Sequence, residues 1–420
     1  MRRIALLVSP VLLLAAVAAS VKTMPQGSHV AGVVIVTLDT TRADHLSPYG
    51  FMDARMPHLE RLAREGMLFN RALTVAPLTL PAHTSILTGL LPASHGVRDN
   101  ADGPLAERYT TLAEMLQQRG FRTGAFVGSI VLQADRGLSQ GFATYQDVRR
   151  TQTTFTRQRP GNEVMNEAIA WLEQNSKERF LLWAHLYDAH APYDPPEPYR
   201  SRVADPYVGE LLFQDAQIGR LLDALDRLKL RENTIVVVVG DHGEGLGEHG
   251  EAMHGEQLYD SVLRVPFIVR APGVRPGTVT DVVRLVDVLP TVVSLLGIPA
   301  PASDGVSLLP ALHGEHMDLE AYAESLYPAR LGGEPRRALS DGRFKLILGG
   351  GAELYDLDHD PFEQRNLIID RPRTANAMRT RLAQLTRVDD ASRLRAQRVS
   401  PELRERLAAL GYVDGARHSR

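Results

Sequence analysis

Cysteine is missing from all 420 residues. Its absence excludes disulfide crosslinks, thiolate metal ligands and lipid attachment through cysteine, and it is compatible with an oxidising compartment. A surplus of either charge is missing too: 47 lysines and arginines face 50 aspartates and glutamates, for a net charge of −3. Nothing therefore indicates a nucleic-acid surface or a disordered tail. Beyond the N-terminus no stretch is long and apolar enough to span a membrane, and no internal repeat is visible. What is left is an ordinary globular composition with 44% hydrophobic residues. The length suits one large α/β domain plus a smaller subdomain.

The beginning of the chain stands apart. Arg2-Arg3 precedes an apolar run from Ile4 to Ala19, and Ala16-Val17-Ala18 has the small-x-small pattern of a cleavage site. Residues 1–19 read as a secretory signal peptide, with an uncleaved N-terminal anchor as the alternative. On either reading the body is expected to be periplasmic or secreted, touching a membrane only through this segment. A polar linker, Lys22 to Val30, follows.

Three apolar runs then read as buried strands of a mostly parallel sheet: 31–38, 180–187 and 234–239. Each discharges into polar residues, and in open α/β sheets the carboxyl ends of strands carry the site. The first ends at Asp39-Thr40, where Asp39 is placed as a metal ligand or as a helix N-cap. The second ends at Asp188-Ala189-His190, and the Pro-locked loop after it marks a site rather than a core pattern. The third ends at Asp241-His242. A carboxylate beside an imidazole can ligate one cation there, and the histidine favours zinc or manganese over calcium. Helices are expected at 56–65, 111–119, 163–173, 205–228 and 286–297. Short strands at 66–69 and 122–127 and a longer one at 263–270 complete the α/β rhythm. Residues 134–160 read as a polar, exposed excursion.

The stretch 76–89 organises the rest. Pro77 and Pro81 keep it extended and then open a turn, 83–87 has helical character, and Gly89 can stop it. Thr79 therefore sits where a loop meets a helix start, beside outward N–H groups that favour an anion.

Thr79-x-Pro81-Ala82-His83, then Leu87-Thr88-Gly89, then His95-Gly96-Val97 resemble the signature of the sulfatase family, a branch of the alkaline-phosphatase superfamily. The resemblance recurs in order, through His185-x-x-Asp188-x-His190-x-Pro192-Tyr193 and Asp241-His242, to Asp360-Pro361-x-Glu363 with Asn366-Leu367. It implies an alkaline-phosphatase-like α/β fold: a central mostly parallel sheet flanked by helices, with a small C-terminal antiparallel α+β subdomain. A signal segment would precede a catalytic domain at 31–299 and a C-terminal subdomain at 315–414, closed by a helix opening at Ser400-Pro401.

It also implies a metal-dependent ester hydrolase. Asp39, Thr79, Asp241 and His242 would surround one divalent cation (Zn, Mn, Ca or Mg). Bimetallic relatives imply a second site from Asp188, His190 and His254. The catalytic set would be Thr79 as nucleophile, His83 with the helix start holding the anionic oxygens, and His190 or His254 protonating the leaving oxygen. A solvent-exposed loop histidine is the plain alternative for His254, and a hydrogen-bonded core residue is the favoured reading of His185. Arg98 would hold an anion or form a surface ion pair.

Several positions depart from the family pattern. Thr79 replaces the Cys or Ser that becomes formylglycine, His83 replaces the signature Arg, Thr40 replaces a second Asp, and His254 stands where many sulfatases have Lys. A threonine cannot give the aldehyde. The expected reaction is therefore cleavage of a phosphate mono- or diester, or a phosphonate ester, through a Thr nucleophile. The alternatives are sulfuric ester hydrolysis, phosphoryl-group transfer, and non-catalytic binding of anionic glycans. The partner expected is a small-molecule, glycan or lipid sulfate or phosphate ester, not a nucleic acid.

Overall fold

The computed structural model of the chain describes residues 30–148 and 158–385. The signal segment and the helix expected from Ser400 lie outside the described residues.

The apolar runs form strands for the reason their composition gives: they are covered on both faces. In β1 (Gly32–Leu38), Val33 and Ile35 enter one core while Val34, Val36 and Leu38 enter the other. The strand β6 (Thr234–Gly240) divides in the same way, with Ile235, Val237 and Val239 opposite Val236 and Val238. The other strands of this sheet are β2 (Met67–Leu73), β3 (Arg122–Val127), β4 (Thr144–Gln146), β5 (Phe180–Leu186), β7 (Arg264–Val265), β8 (Phe267–Arg270) and β9 (Gly277–Arg284). Their order is β4-β3-β5-β1-β6-β8-β2-β7, with β9 also on β2. Pairing is parallel from β4 to β6 and between β2 and β9, and antiparallel at β8 and β7. The sheet is mixed and mostly parallel, as expected.

Helices Pro57–Glu65, Gly161–Asn175 and Pro206–Arg227 cover one face, and helices Thr79–Thr88, Leu112–Gln117 and Val288–Leu295 cover the other. Asp205 caps the long helix by accepting from the Tyr207 N–H. Asp287 near the last expected helix is structural: its carboxylate accepts from Arg284 and from the Val306 N–H.

A second sheet, β10 (Ala321–Ser325), β11 (Arg336–Ser340), β12 (Phe344–Leu348) and β13 (Ala352–Asp356), is antiparallel throughout. One face packs on the helix Pro372–Leu385 through Leu339, Leu346 and Leu354 against Met378 and Leu382. The other face docks on the large sheet's surroundings through Ala323, Ala338 and Ile347 against Leu73, Leu263 and Val282.

Two expectations need correction, and three elements were not anticipated. The run 263–270 is not one strand, because Pro266 has no N–H to donate and separates β7 from β8. The segment from Ala134 is not wholly an exposed excursion. Leu138 is buried in the core, and β4 extends the sheet by pairing with β3. The strands β9 and β10 and the helix Pro372–Leu385 went unread in the sequence. Their periodicity is short or interrupted, and their apolar faces are defined only by the sheet they cover.

Candidate active site

The register of the sheet builds the site. Leu38 at the end of β1 lies level with Leu186 of β5 and Gly240 of β6. The backbone continues this alignment one residue further, with Asp39 N–H donating to Leu186 O (2.9 Å) and Asp241 N–H to Leu38 O (3.1 Å). Two carboxylates separated by some 200 residues of chain are thereby made neighbours. Asp39, Asp241 and His242 each offer one ligand atom, all within 4.8 Å of one another, and all three are fully buried.

The donors fit a cation. Both carboxylate oxygens of Asp39 and the Oδ2 of Asp241 are buried without a hydrogen-bond partner, a costly arrangement unless something else binds them. His242 Nδ1 donates to Gly243 O (3.0 Å), so the Nε2 lone pair is turned towards Asp39 (3.9 Å) and Asp241 (3.5 Å). Without a cation, burial pushes the pKa of Asp39 well up, and burial together with the Asp39 charge does the same for Asp241. Burial, reinforced by His254, holds His242 well below its ordinary value, which keeps it neutral. Thr40, standing where a second Asp was expected, has φ 47°, unusual for a β-branched residue. That conformation lets its N–H donate to Asp241 Oδ1 (3.2 Å).

Thr79 is the first residue of its helix, because Leu78 before it is extended (φ −147°, ψ 136°) and Pro81 sits in the first turn, where no N–H is required. The helix thus starts four residues earlier than its apolar pattern suggested, and Gly89 stops it at φ 70°. Thr79 is fully buried, and its Oγ1 lies 3.3 Å from Nε2 of His242, the imidazole of that cluster. The next N–H, of Leu80, is capped from outside the helix by Asn100 Oδ1 (2.8 Å).

His83 does not sit as expected. Its Nδ1 donates to Thr79 O (2.8 Å) and its Nε2 meets Thr37 Oγ1 (2.9 Å), leaving neither ring nitrogen for a substrate oxygen. Burial, with His185 nearby, keeps it neutral. It braces the first turn from below. Thr37 also accepts from Trp183 Nε1 (3.0 Å) and meets His185 Nδ1 (3.2 Å), while His185 Nε2 lies 3.2 Å from Asp39 Oδ2. His185 is a hydrogen-bonded core residue and also a neighbour of the site.

Asp188, His190 and His254 do not form a second tight ligand cluster among the described residues. Asp188 Oδ1 accepts from the N–H of Gly161 (2.7 Å), at the start of the helix Gly161–Asn175, while its Oδ2 is buried without a hydrogen-bond partner. Among the described residues the one cluster of ligand type is Asp39, Asp241 and His242. His190 and His254 do reach the site, with rings 5.1 Å apart and that of His254 4.4 Å from His242. His190 stacks on Tyr187 (4.5 Å), and burial lowers its pKa to about 3. His254 is not an exposed loop residue. Its Nδ1 donates to Glu244 Oε1 (2.9 Å), whose Oε2 accepts from the Tyr193 hydroxyl (2.9 Å). Burial opposes a charge on His254, yet Glu244 and Asp39 lift its pKa above the ordinary value. Glu244 was missed in the sequence, although it lies two residues beyond a proposed ligand on a Gly-rich loop. Arg98 is paired inside the protein with Glu324 of β10 (2.6 Å).

A profile of the sulfatase family matches residues 32–298. The chain belongs to that family. A second profile, the C-terminal region of N-sulphoglucosamine sulphohydrolase, matches residues 247–390 of this sulfatase-family protein. An ulvan-active sulfatase of Formosa agariphila is 27% identical over 80% of this chain and 76% of its own length. A Delta 4,5-hexuronate-2-O-sulfatase of Bacteroides thetaiotaomicron is 25% identical over 78% and 84%. The phosphonate monoester hydrolase of Agrobacterium radiobacter shares the fold, with a TM-score of 0.72 and 21% identity over 89% of this chain and 98% of its own. The protein is a hydrolase of this superfamily, in which metal dependence is typical.

Proposed function

We propose that this sulfatase-family protein cleaves phosphate mono- or diesters, or phosphonate esters, outside the cytoplasm, with Thr79 as the nucleophile. The observation that carries the reading is the placement of the Thr79 hydroxyl at a helix start, 3.3 Å from His242 Nε2, whose ring belongs to the cluster with the unpaired carboxylate oxygens. A threonine there cannot become formylglycine, so the covalent centre itself must be hydrolysed, which phosphoryl groups undergo readily.

Asp39, Asp241, His242 and Thr79 would hold one divalent cation, which when bound lowers the pKa of a hydroxyl and polarises an ester oxygen. Thr79 Oγ1, its proton released to solvent, attacks phosphorus in line. The bond to the leaving oxygen breaks, and His254 gives that oxygen its proton, with Glu244 fixing the ring. His190 lies beside His254 as part of the same wall. Water then attacks phosphorus and gives a proton to the now neutral His254, the bond to Thr79 breaks, and Thr79 Oγ1 regains a proton from solvent. His83 takes no part in these contacts; it holds the Thr79 turn and Thr37 in place.

A second reading, hydrolysis of sulfate esters, is favoured by the relatives, which are named as sulfatases. Turnover of aryl phosphate, aryl phosphodiester, aryl phosphonate and aryl sulfate by the purified full chain separates the two, with Thr79→Ala alongside. Phosphorus-ester turnover that vanishes in the variant supports the proposal. Sulfate turnover alone, or turnover that survives Thr79→Ala, overturns it.

A further inference from the structure

Thr37 is the one polar side chain in the apolar run of β1, and it is fully buried. By strand alternation it shares a face with Val33 and Ile35, and the parallel register sets it level with His185 of β5. Valine would suit that core position, so the hydroxyl calls for a reason. It meets three nitrogens: His83 Nε2 (2.9 Å), Trp183 Nε1 (3.0 Å) and His185 Nδ1 (3.2 Å). Both imidazoles and the indole are fully buried.

The protons of this cluster can be placed one by one. Thr79 O only accepts, so His83 Nδ1 carries the ring proton and Nε2 the lone pair. That lone pair takes the Thr37 hydroxyl proton. The Thr37 oxygen then has only acceptor capacity left, which the Trp183 N–H and His185 Nδ1 fill, so Nδ1 of His185 is a donor. Burial holds both imidazoles neutral, lowering the pKa of His185 to about 3. His185 Nε2 is thus a lone pair. It is buried with no hydrogen-bond partner, 3.2 Å from Asp39 Oδ2, which has none either. Two acceptors that close repel each other unless positive charge lies beside them.

We propose that Thr37 is a positioning residue of the cation site: its hydroxyl holds His185 in the Nδ1–H tautomer, so that Asp39 meets a lone pair instead of an N–H and keeps both carboxylate oxygens for a divalent cation. This rests on the cation reading of Asp39, Asp241 and His242. The other tautomer would set a donor against Asp39 Oδ2 and compete with the ion for it.

Thr37→Val removes the hydroxyl and keeps the branched shape, whereas Thr37→Ser keeps the hydroxyl. Calorimetric titration of zinc, calcium and magnesium into the cation-free full chain reads the site without turnover. Affinity should fall at least 10-fold in Thr37→Val and stay within about 3-fold of the parent in Thr37→Ser. Nitrogen-15 spectra of the histidines with the ion bound should show His185 as Nδ1–H in the parent and in Thr37→Ser, and as Nε2–H in Thr37→Val. His185→Gln identifies the signals.

Equal affinity in parent and Thr37→Val overturns the proposal and leaves the cation reading standing. A loss of affinity with the tautomer unchanged also overturns it, because the valine would then act only by disturbing the packing. If Thr37→Val does not fold, the parent decides: Nε2–H at His185 with the ion bound refutes the assignment without any variant. A parent that binds none of the three ions refutes the cation reading itself, and this proposal with it.

Discussion

Replacing Asp241 with asparagine should change stability in opposite directions with and without a divalent cation. Its ligand oxygen lies within 4.8 Å of that of Asp39, and both side chains are fully buried. At an effective dielectric of about 20, two ionised carboxylates at that separation repel by about 3.5 kcal/mol. Burial already raises both pKa values, so a shared proton relieves part of this repulsion. In chelator, Asp241→Asn should therefore melt higher, by up to ~4 °C for a chain of this length. Its Oδ1 can still accept from the Thr40 and His242 N–H groups, so the backbone there keeps its support. The parent behaves the other way. A cation at about 100 times its Kd adds ~2.7 kcal/mol, or ~3 °C, and the variant should lose most of that increment. Differential scanning calorimetry of both proteins, in chelator and with zinc, manganese, calcium or magnesium in turn, measures all four corners. A variant that melts lower in chelator, or that keeps the whole cation increment, would refute the metal site.

Glu244→Ala should lower kcat on the preferred ester by about 10²-fold with little change in KM, because His254 loses the carboxylate that orients its ring; steady-state kinetics check this. Lys345, 1% exposed, bridges Asp260 (2.7 Å) and Glu363 (2.8 Å) at the join between the sheets. Lys345→Met should cost about 3–5 kcal/mol by stranding two carboxylates, and a urea titration should recover part of it when Glu363→Gln is added. His95 accepts from the Val97 N–H (3.1 Å) and meets Ser85 Oγ (3.0 Å), and burial, aided by Arg98, lowers its pKa to about 3. A neutral buried histidine gives its full stability above the unfolded value near 6.5. That stability is lost as pH falls towards 3, at about 1.4 kcal/mol per pH unit. His95→Gln should flatten that part of the stability curve, and parallel curves for parent and variant would contradict the assignment.

The sequence by itself determined the main strands and the ends from which the site is built. Runs buried on both faces have to be apolar at every position, so 31–38 and 234–239 announced themselves, and the polar residues after them marked the carboxyl edge. Asp39, Asp241, His242 and Thr79 were legible for that reason, each standing where regular structure starts or stops. Tertiary structure decided what could not be read locally. Only the parallel register of β1 between β5 and β6 makes Asp39 and Asp241 neighbours. A histidine's chemistry depends on who occupies its nitrogens, and those partners are fixed only by the folded chain. Thr37, 46 positions away, takes His83 out of the anion's reach. Gly161 engages one oxygen of Asp188, and Glu244 turns His254 from a loop residue into a buried, charge-favoured one. Thr37 read locally as one more residue of a strand. Its three nitrogen partners are visible only once β5 and the helix of Thr79 are in place, because a hydrogen bond can be counted only against neighbours that folding supplies.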